Sequence, residues 1–224
     1  MPEPPVGKPL GVFGGTFDPV HFGHLRLAEE ATFSLDLAGV RWIPAGQPLL
    51  RQAPQVSARQ RLAMVRLATA ENPAFEVDHT EVDNARASYT VPTLERLRQP
   101  DQLGQQRSLV LLLGADAFTG LASWHRWQSL LDLAHIAVAH RPGFPVDPGQ
   151  LPAALASCYA ERHSSDPAAL GQSTAGRIVS FAMTQLAISA TQIRELLASG
   201  CSPRYLLPDE VIAYIRDHHL YPEH

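Results

Sequence analysis

The segment GGTFDPVHFGH, Gly14 to His24, sets two leading glycines, an Asp-Pro pair and two histidines three residues apart. Adjacent glycines let a ligand come close to the main chain. Asp18-Pro19 makes a turn and offers a cap at the entrance of a helix. With a helix starting there, His21 and His24 lie on one face of its first turn, where unpaired amides already favour an anion. Two imidazoles over a helix N-terminus suit a phosphoryl group, because they donate hydrogen bonds and accept charge that grows in a transition state. Plainer readings stay open at this point: one histidine a cap and the other merely exposed, or a metal pair, although no third ligand stands at suitable spacing. Neither a GxGxxG fingerprint nor a GxxxxGK[ST] loop occurs in the chain.

The elements that must position this loop alternate along the sequence. PLGVFGG reads as a buried strand ending at the loop, and GHLRLAEEATFSLDL as an amphipathic helix with Leu25, Ala28, Thr32 and Leu35 at helical spacing. VRWIPAG is a second strand. Ser57 with Gln60 makes a capping box for the next helix, and AFEVDHTEV reads as a third strand. TVPTLERLR is a short helix with Pro92 in its first turn. SLVLLLGAD is a continuous buried strand, SWHRWQSLLDLA is helical, and HIAVAHRPG is another strand. Residues 142–176 are rich in Pro, Ala, Ser and Gly, with a weak helical pattern near Leu151 to Tyr159. RIVSFAM is a last strand. SATQIRELLASG is a helix closed by Gly200, and PDEVIAYIRDHH a helix opened by Pro.

Strands alternating with helices predict an α/β fold: a doubly wound, mostly parallel Rossmann-like sheet with helices on both faces and a C-terminal helical segment. Ligands bind beyond the carboxyl ends of such strands, which directs attention to the loops Gly14–His24, Gly114–Asp116 and Arg141–Gly143. The expected organisation is one domain over 1–224. Within it, 142–176 is an insertion or a mobile segment and 188–224 is the helical C-terminal part.

Of the 224 residues, 45% are hydrophobic and 18% charged, which suits a soluble globular chain with one sizeable core. A net charge of −4 argues against a broad footprint for nucleic acid, so attraction for an anion has to be local. Only Cys158 and Cys201 are present, outside any CxxC, and no secretory signal is evident. Both point to a reduced, cytoplasmic protein. The strongest apolar run, Leu109 to Leu113, is too short to span a bilayer, so no membrane partner is expected. A homo-oligomer is left open.

GGTFDPVHFGH resembles the GxFDPxHxGH signature of the nucleotidylyltransferase superfamily. ISATQIR, Ile188 to Arg194, resembles its second motif, ISSTxIR, with Ala190 replacing a Ser. Further stretches, ASYTVPTLERLR, LLLGADAF, SWHRW, AHRPG and YLLPDEVIAYI, resemble bacterial nicotinate-nucleotide adenylyltransferases along nearly the whole chain. The resemblance implies adenylyl transfer from ATP to nicotinate mononucleotide, giving the deamido dinucleotide and pyrophosphate in NAD biosynthesis. It implies His21, His24 and Arg194 as the catalytic set, with Gly14, Gly15, Thr16, Phe17, Asp116, Ile188, Ser189 and Thr191 completing the ATP site. It also implies Tyr89, Thr90, Trp124, His125, Arg141 and Arg51 on the mononucleotide. Mg²⁺ is expected to arrive with ATP, held by substrate and water rather than by protein ligands.

Two departures bear on this. PAGQPLLR keeps Pro44, Gly46, Pro48 and Arg51 of the family's PxGxPPHK stretch but has Leu49 and Leu50 for Pro and His, and SYTVPT has Pro92 where Asp is usual. The alternatives are transfer to nicotinamide mononucleotide or phosphopantetheine, or a weakly active nucleotide-binding module.

Overall fold

A computed structural model describes residues 7–48, 53–84 and 86–222. The chain runs β1 (Leu10–Gly15), α1 (Phe22–Ser34), β2 (Val40–Pro44), β3 (Gln47–Pro48), α2 (Ala58–Thr69), β4 (Phe75–Val77), α3 (Thr80–Asp83) and β5 (Ala87–Ser88). It continues through α4 (Thr90–Leu97), β6 (Leu109–Gly114), α5 (Ala115–Thr119), α6 (Leu130–Leu133), β7 (His135–His140), α7 (Ala153–Arg162) and β8 (His163–Ser164). β9 (Ile178–Ala182), α8 (Ala190–Ala198) and α9 (Asp209–Asp217) follow. Seven strands form one sheet in the order β4-β2-β1-β6-β7-β9-β8, and β3 pairs with β5 separately. β6 is parallel to both β1 and β7, with Val12 opposite Leu111 and Gly114 opposite Ala139. This is the predicted α/β sheet flanked by helices. Among the described residues no helix is long and apolar enough to cross a membrane.

The chain divides into two compact units. The first takes the chain up to Phe13, Ala28–Val40 and Tyr89–Thr184; the second takes Gly14–Leu27, Arg41–Ser88 and Gln185–His224.

In the first unit the apolar run Leu109–Leu113 is buried throughout, as a strand covered on both faces must be. At Gly11 a Cβ would come within 3.1 Å of both Leu37 and Val40, so a side chain there would make these neighbours give way. Residues 142–176 carry a 3₁₀ turn at Pro148–Gln150, α7, β8 and a 3₁₀ turn at Pro167–Gly171. Leu155 and Leu170 from this stretch are fully buried, and Ser108 Oγ donates to the Leu170 carbonyl at 2.7 Å.

Arg98 is a buried cation surrounded by carbonyls rather than by a carboxylate. Its guanidinium donates to Leu133 O from Nε and Nη2 (2.9 and 2.6 Å), to Thr174 O at 2.8 Å, and to the carbonyls of Gly104, Gln105 and Arg107. Burial lowers its pKa only to about 10, so it stays charged near neutrality and ties three loops together. His135 is likewise fully buried. Its Nδ1 accepts from Arg177 N at 3.0 Å and its Nε2 lies 2.9 Å from Ser173 O, an arrangement that suits the neutral ring protonated at Nε2.

In the second unit, α2 opens with the expected capping box, Ser57 and Gln60 answering each other's backbone amides. α8 ends with Gly200 at φ +68°, its N–H on Leu197 O and that of Cys201 on Leu196 O, which is a Schellman closure. Trp42 is fully buried between Phe17 and Phe75, at ring distances of 5.3 and 5.4 Å.

Two sequence expectations change. The third strand covers only Phe75–Val77, because the Asp78 carboxylate takes the Thr80 N–H at 2.9 Å and turns the chain into a helical turn. The helix expected over SWHRWQSLLDLA is broken into 3₁₀ turns and the short α6, with Arg126 in the left-handed region at φ 55° between them.

Two stability measurements follow. Arg98→Leu leaves several buried carbonyls without a donor and should cost about 3 kcal/mol or more, read as a lower urea midpoint at unchanged m-value. His135 has its pKa pushed by burial from 6.5 to about 4. Its neutral form is therefore the one that fits the fold, and the stability it contributes is present above pH 6.5 and lost as pH falls towards 4. His135→Gln should flatten the loss of stability with acid by about 1.4 kcal/mol per pH unit over that window; an unchanged slope would refute the assignment.

Candidate active site

The glycine-histidine loop lies in the second unit and leads from β1 into α1. Gly15 admits no side chain, because a Cβ would lie 2.7 Å from the Phe17 ring. Phe17 itself is buried with φ 51°, its ring edge-on to His24 at 5.1 Å. The peptide bond Asp18-Pro19 is cis.

α1 begins at Phe22, and Asp18 is not its cap as the sequence suggested, because its carboxylate takes Gln55 N and Tyr221 Oη instead. His21 O receives the N–H of His24 at 2.9 Å, and the His24 ring returns the contact, its Nδ1 accepting from His21 N at 3.3 Å. This is one half of a capping box: the His24 ring takes the His21 amide, while the His21 main-chain carbonyl rather than its side chain takes the His24 amide. Accepting at Nδ1 leaves the proton of neutral His24 on Nε2, so Nε2 is the donor. The two rings stack at 3.7 Å with 29° between their planes. Burial lowers the His21 pKa to about 4, while burial and then the neighbouring His21 hold His24 well below its usual value. Both are neutral donors near pH 7. His21 Nδ1 is buried and has no hydrogen-bond partner among the described residues. Gly23 keeps this corner tight: a Cβ there would meet His21 Nδ1 at 3.0 Å and Ile188 O at 3.6 Å.

That contact brings the second motif beside the first. Ser189 caps α8, its Oγ accepting from Gln192 N at 3.1 Å. Arg194 is half-buried and reaches back to the loop, Nη1 donating to the Asp18 carbonyl at 2.7 Å and Nη2 to Thr191 Oγ1 at 3.3 Å. Gly14, Gly15, Thr16, Phe17, His21, His24, Ile188, Ser189, Thr191 and Arg194 thus all belong to one unit.

The remaining predicted residues fall elsewhere. Tyr89, Thr90, Asp116, Trp124, His125 and Arg141 belong to the first unit. There Tyr89 precedes α4 and its ring packs on His125 at 4.5 Å. Pro92 fits the first turn of α4, as expected. Asp116 stands in the first turn of α5 directly after β6, and Arg141 directly follows β7, so both occupy carboxyl ends of neighbouring parallel strands. Arg51 and the departures Leu49 and Leu50 lie outside the described residues. Among the described residues no group of three or more His, Cys, Asp or Glu side chains could hold a metal ion.

Sequence reasoning missed two residues that hold the loop. Arg61, 1% exposed, donates to Thr16 O at 2.7 Å and to Gly46 O at 3.0 Å. The signal was present, since Arg61 shares the buried stripe of α2 with Met64 and Val65, and a cation there needs a reason. Tyr221 donates its hydroxyl to Asp18 Oδ1 at 2.7 Å. No local pattern announced that contact.

A family model described as cytidylyltransferase-like matches residues 12–196. Curated proteins named "Probable nicotinate-nucleotide adenylyltransferase" align over almost all of the chain. That of Dechloromonas aromatica is 63% identical, covering 96% of this chain and 99% of its own; that of Pseudomonas fluorescens is 50% identical, covering 96% and 98%. That of Aeromonas salmonicida is 48% identical, covering 95% and 97%. Among solved structures, a nicotinic acid mononucleotide adenylyltransferase of Plasmodium falciparum complexed with NaAD has a TM-score of 0.71 over 96% of this chain and 98% of that one. At 14% identity it speaks to the fold alone. The glycine-histidine corner, the second motif packed against it and near-full-length identity with these relatives agree, and the chain belongs to the nicotinate-nucleotide adenylyltransferases of the cytidylyltransferase-like family.

Proposed function

We propose that this protein transfers the adenylyl group of ATP to nicotinate mononucleotide, forming the deamido dinucleotide and pyrophosphate. The observation that carries the reading is the stacked, neutral His21–His24 pair at the N-terminus of α1, with Arg194 tied to the same loop. An oxygen of the acceptor's 5′-phosphate attacks the α-phosphorus of ATP in line. The new P–O bond forms as the bond to the β-phosphate oxygen breaks, and pyrophosphate leaves with that electron pair. A phosphate monoester has a second pKa near about 6 and needs no strong base. The work left to the protein is alignment and charge stabilisation.

His24 Nε2–H and the α1 amides serve the reacting phosphates, with His21 beside them. A bound polyphosphate favours the charged imidazole and raises both histidine pKa values from their depressed free-state positions. Arg194 keeps its full charge while bound to a carbonyl and serves the β- and γ-phosphates, supported by Ser189 and Thr191. Gly14, Gly15, Thr16, Phe17 and Ile188 shape the nucleotide site, and Asp116 accepts from a ribose. Tyr89 and Thr90 receive the nicotinate carboxylate, Trp124 with His125 supports its ring, and Arg141 and Arg51 supply positive charge. Mg²⁺ enters as part of the substrate MgATP. We place the reaction in the cytoplasm and treat the chain as one catalytic domain, with 142–176 as an insertion within it.

The test is pyrophosphate release with MgATP and, in parallel, nicotinate mononucleotide, nicotinamide mononucleotide and phosphopantetheine. Release should be fastest with the nicotinate acceptor, and His24→Ala should lower kcat about 100-fold or more with the fold intact by circular dichroism. Preference for another acceptor would overturn the roles of Tyr89, Thr90 and Trp124. No release with any acceptor would overturn the reading.

A further inference from the structure

Asp18 is 6% exposed, and every strong acceptor on it is occupied by a different part of the second unit. Tyr221 Oη donates to Oδ1 at 2.7 Å and Gln55 N to Oδ2 at 2.9 Å, while Arg194 Nη1 donates to the main-chain carbonyl at 2.7 Å. Tyr221, itself only 4% exposed, lies 203 residues downstream of the carboxylate it meets. Burial, followed by the hydrogen bond to Asp18, raises the Tyr221 pKa far above its usual value, so its hydroxyl remains a donor throughout the working range.

We infer that Tyr221 is a positioning residue for adenylyl transfer, holding Asp18 so that the carbonyl of the same residue presents Arg194 to the phosphates. This rests on the reading that Arg194 and the histidine loop handle the nucleotide. The geometry explains why a hydroxyl is needed at 221. Oδ1 is buried, and without Tyr221 Oη it keeps no donor of this strength. Asp18 then turns to recover a partner, and its carbonyl turns with it. Arg194 Nε is buried with no hydrogen-bond partner among the described residues, so the Asp18 carbonyl and Thr191 Oγ1 are what fix the guanidinium.

Tyr221→Phe removes one oxygen and keeps the buried ring. It should lower kcat about tenfold or more and raise KM for ATP, with KM for the mononucleotide unchanged. Asp18→Ala, which removes the carboxylate that accepts this hydroxyl, should lose at least a similar factor. The double variant should lose little beyond Asp18→Ala alone, since Tyr221→Phe then has no contact left to remove. A purely structural residue would lower the melting temperature and the yield of folded enzyme without separating the two KM values. Wild-type kcat and ATP KM in Tyr221→Phe would overturn the inference, as would fully multiplicative losses in the double variant. If the wild-type protein shows no transfer to any acceptor, the functional reading fails first. Calorimetric ATP affinity then decides the positioning role: weaker binding by Tyr221→Phe supports it, equal binding overturns it.

Discussion

A carboxylate taken out of water must be met by donors, because the charge it keeps is otherwise too costly to bury. At Asp18 that requirement organises the second unit. Its two oxygens draw in the main chain at Gln55, ahead of α2, and the hydroxyl of Tyr221, beyond α9. Its carbonyl draws in Arg194 from α8. Two residues earlier, Thr16 O is held by Arg61 from α2. Residues far apart in sequence are thereby forced onto one loop, and that loop sets where α1 begins. The placement of His21 and His24 follows from it.

The buried cations obey a complementary rule. Arg98 and Arg61 are satisfied by carbonyl oxygens, and Arg194 spends one nitrogen on a carbonyl and another on a hydroxyl. A carbonyl satisfies the donor without cancelling the charge. In Arg98 this arrangement serves stability alone, since it joins loops of the first unit. Arg61 and Arg194 bring positive charge to a loop that also holds the Asp18 carboxylate, which favours the Arg61 cation, so attraction for an anion there is local rather than set by the net charge of −4.

What was legible in the sequence was what repeats or is local. The buried run Leu109–Leu113, the capping box at Ser57–Gln60 and the Gly200 closure all depend on neighbours within a few residues, and all formed as expected. The histidine corner was legible because the helix start and both imidazoles share one turn, although Asp18, read as the cap, is drawn to Gln55 and Tyr221 instead. The helix over SWHRWQSLLDLA was misread because apolar spacing says nothing about Arg126 in a left-handed conformation. The third strand was misread because Asp78 competes for a backbone amide. Tyr221 was out of reach for a different reason: its value lies in a carboxylate 203 residues away, and no period or spacing encodes such a pairing.

The same distinction explains the electrostatic state of the site. Free imidazoles would titrate near neutrality, but burial, and for His24 also the neighbouring His21, keeps both neutral here. Holding two rings at 3.7 Å is tolerable only while neither is charged, or once an anion is present to offset the charge. The protein fixes the rings beforehand: Gly23 lets Ile188 O and His21 approach closely, and His24 caps the His21 amide. Orientation is thus fixed by contacts that need no ligand, while charge on the rings waits for one. A site built this way resists filling with protons at ordinary pH and keeps its donors aimed, which is the preorganisation that stabilising a developing phosphoryl charge requires.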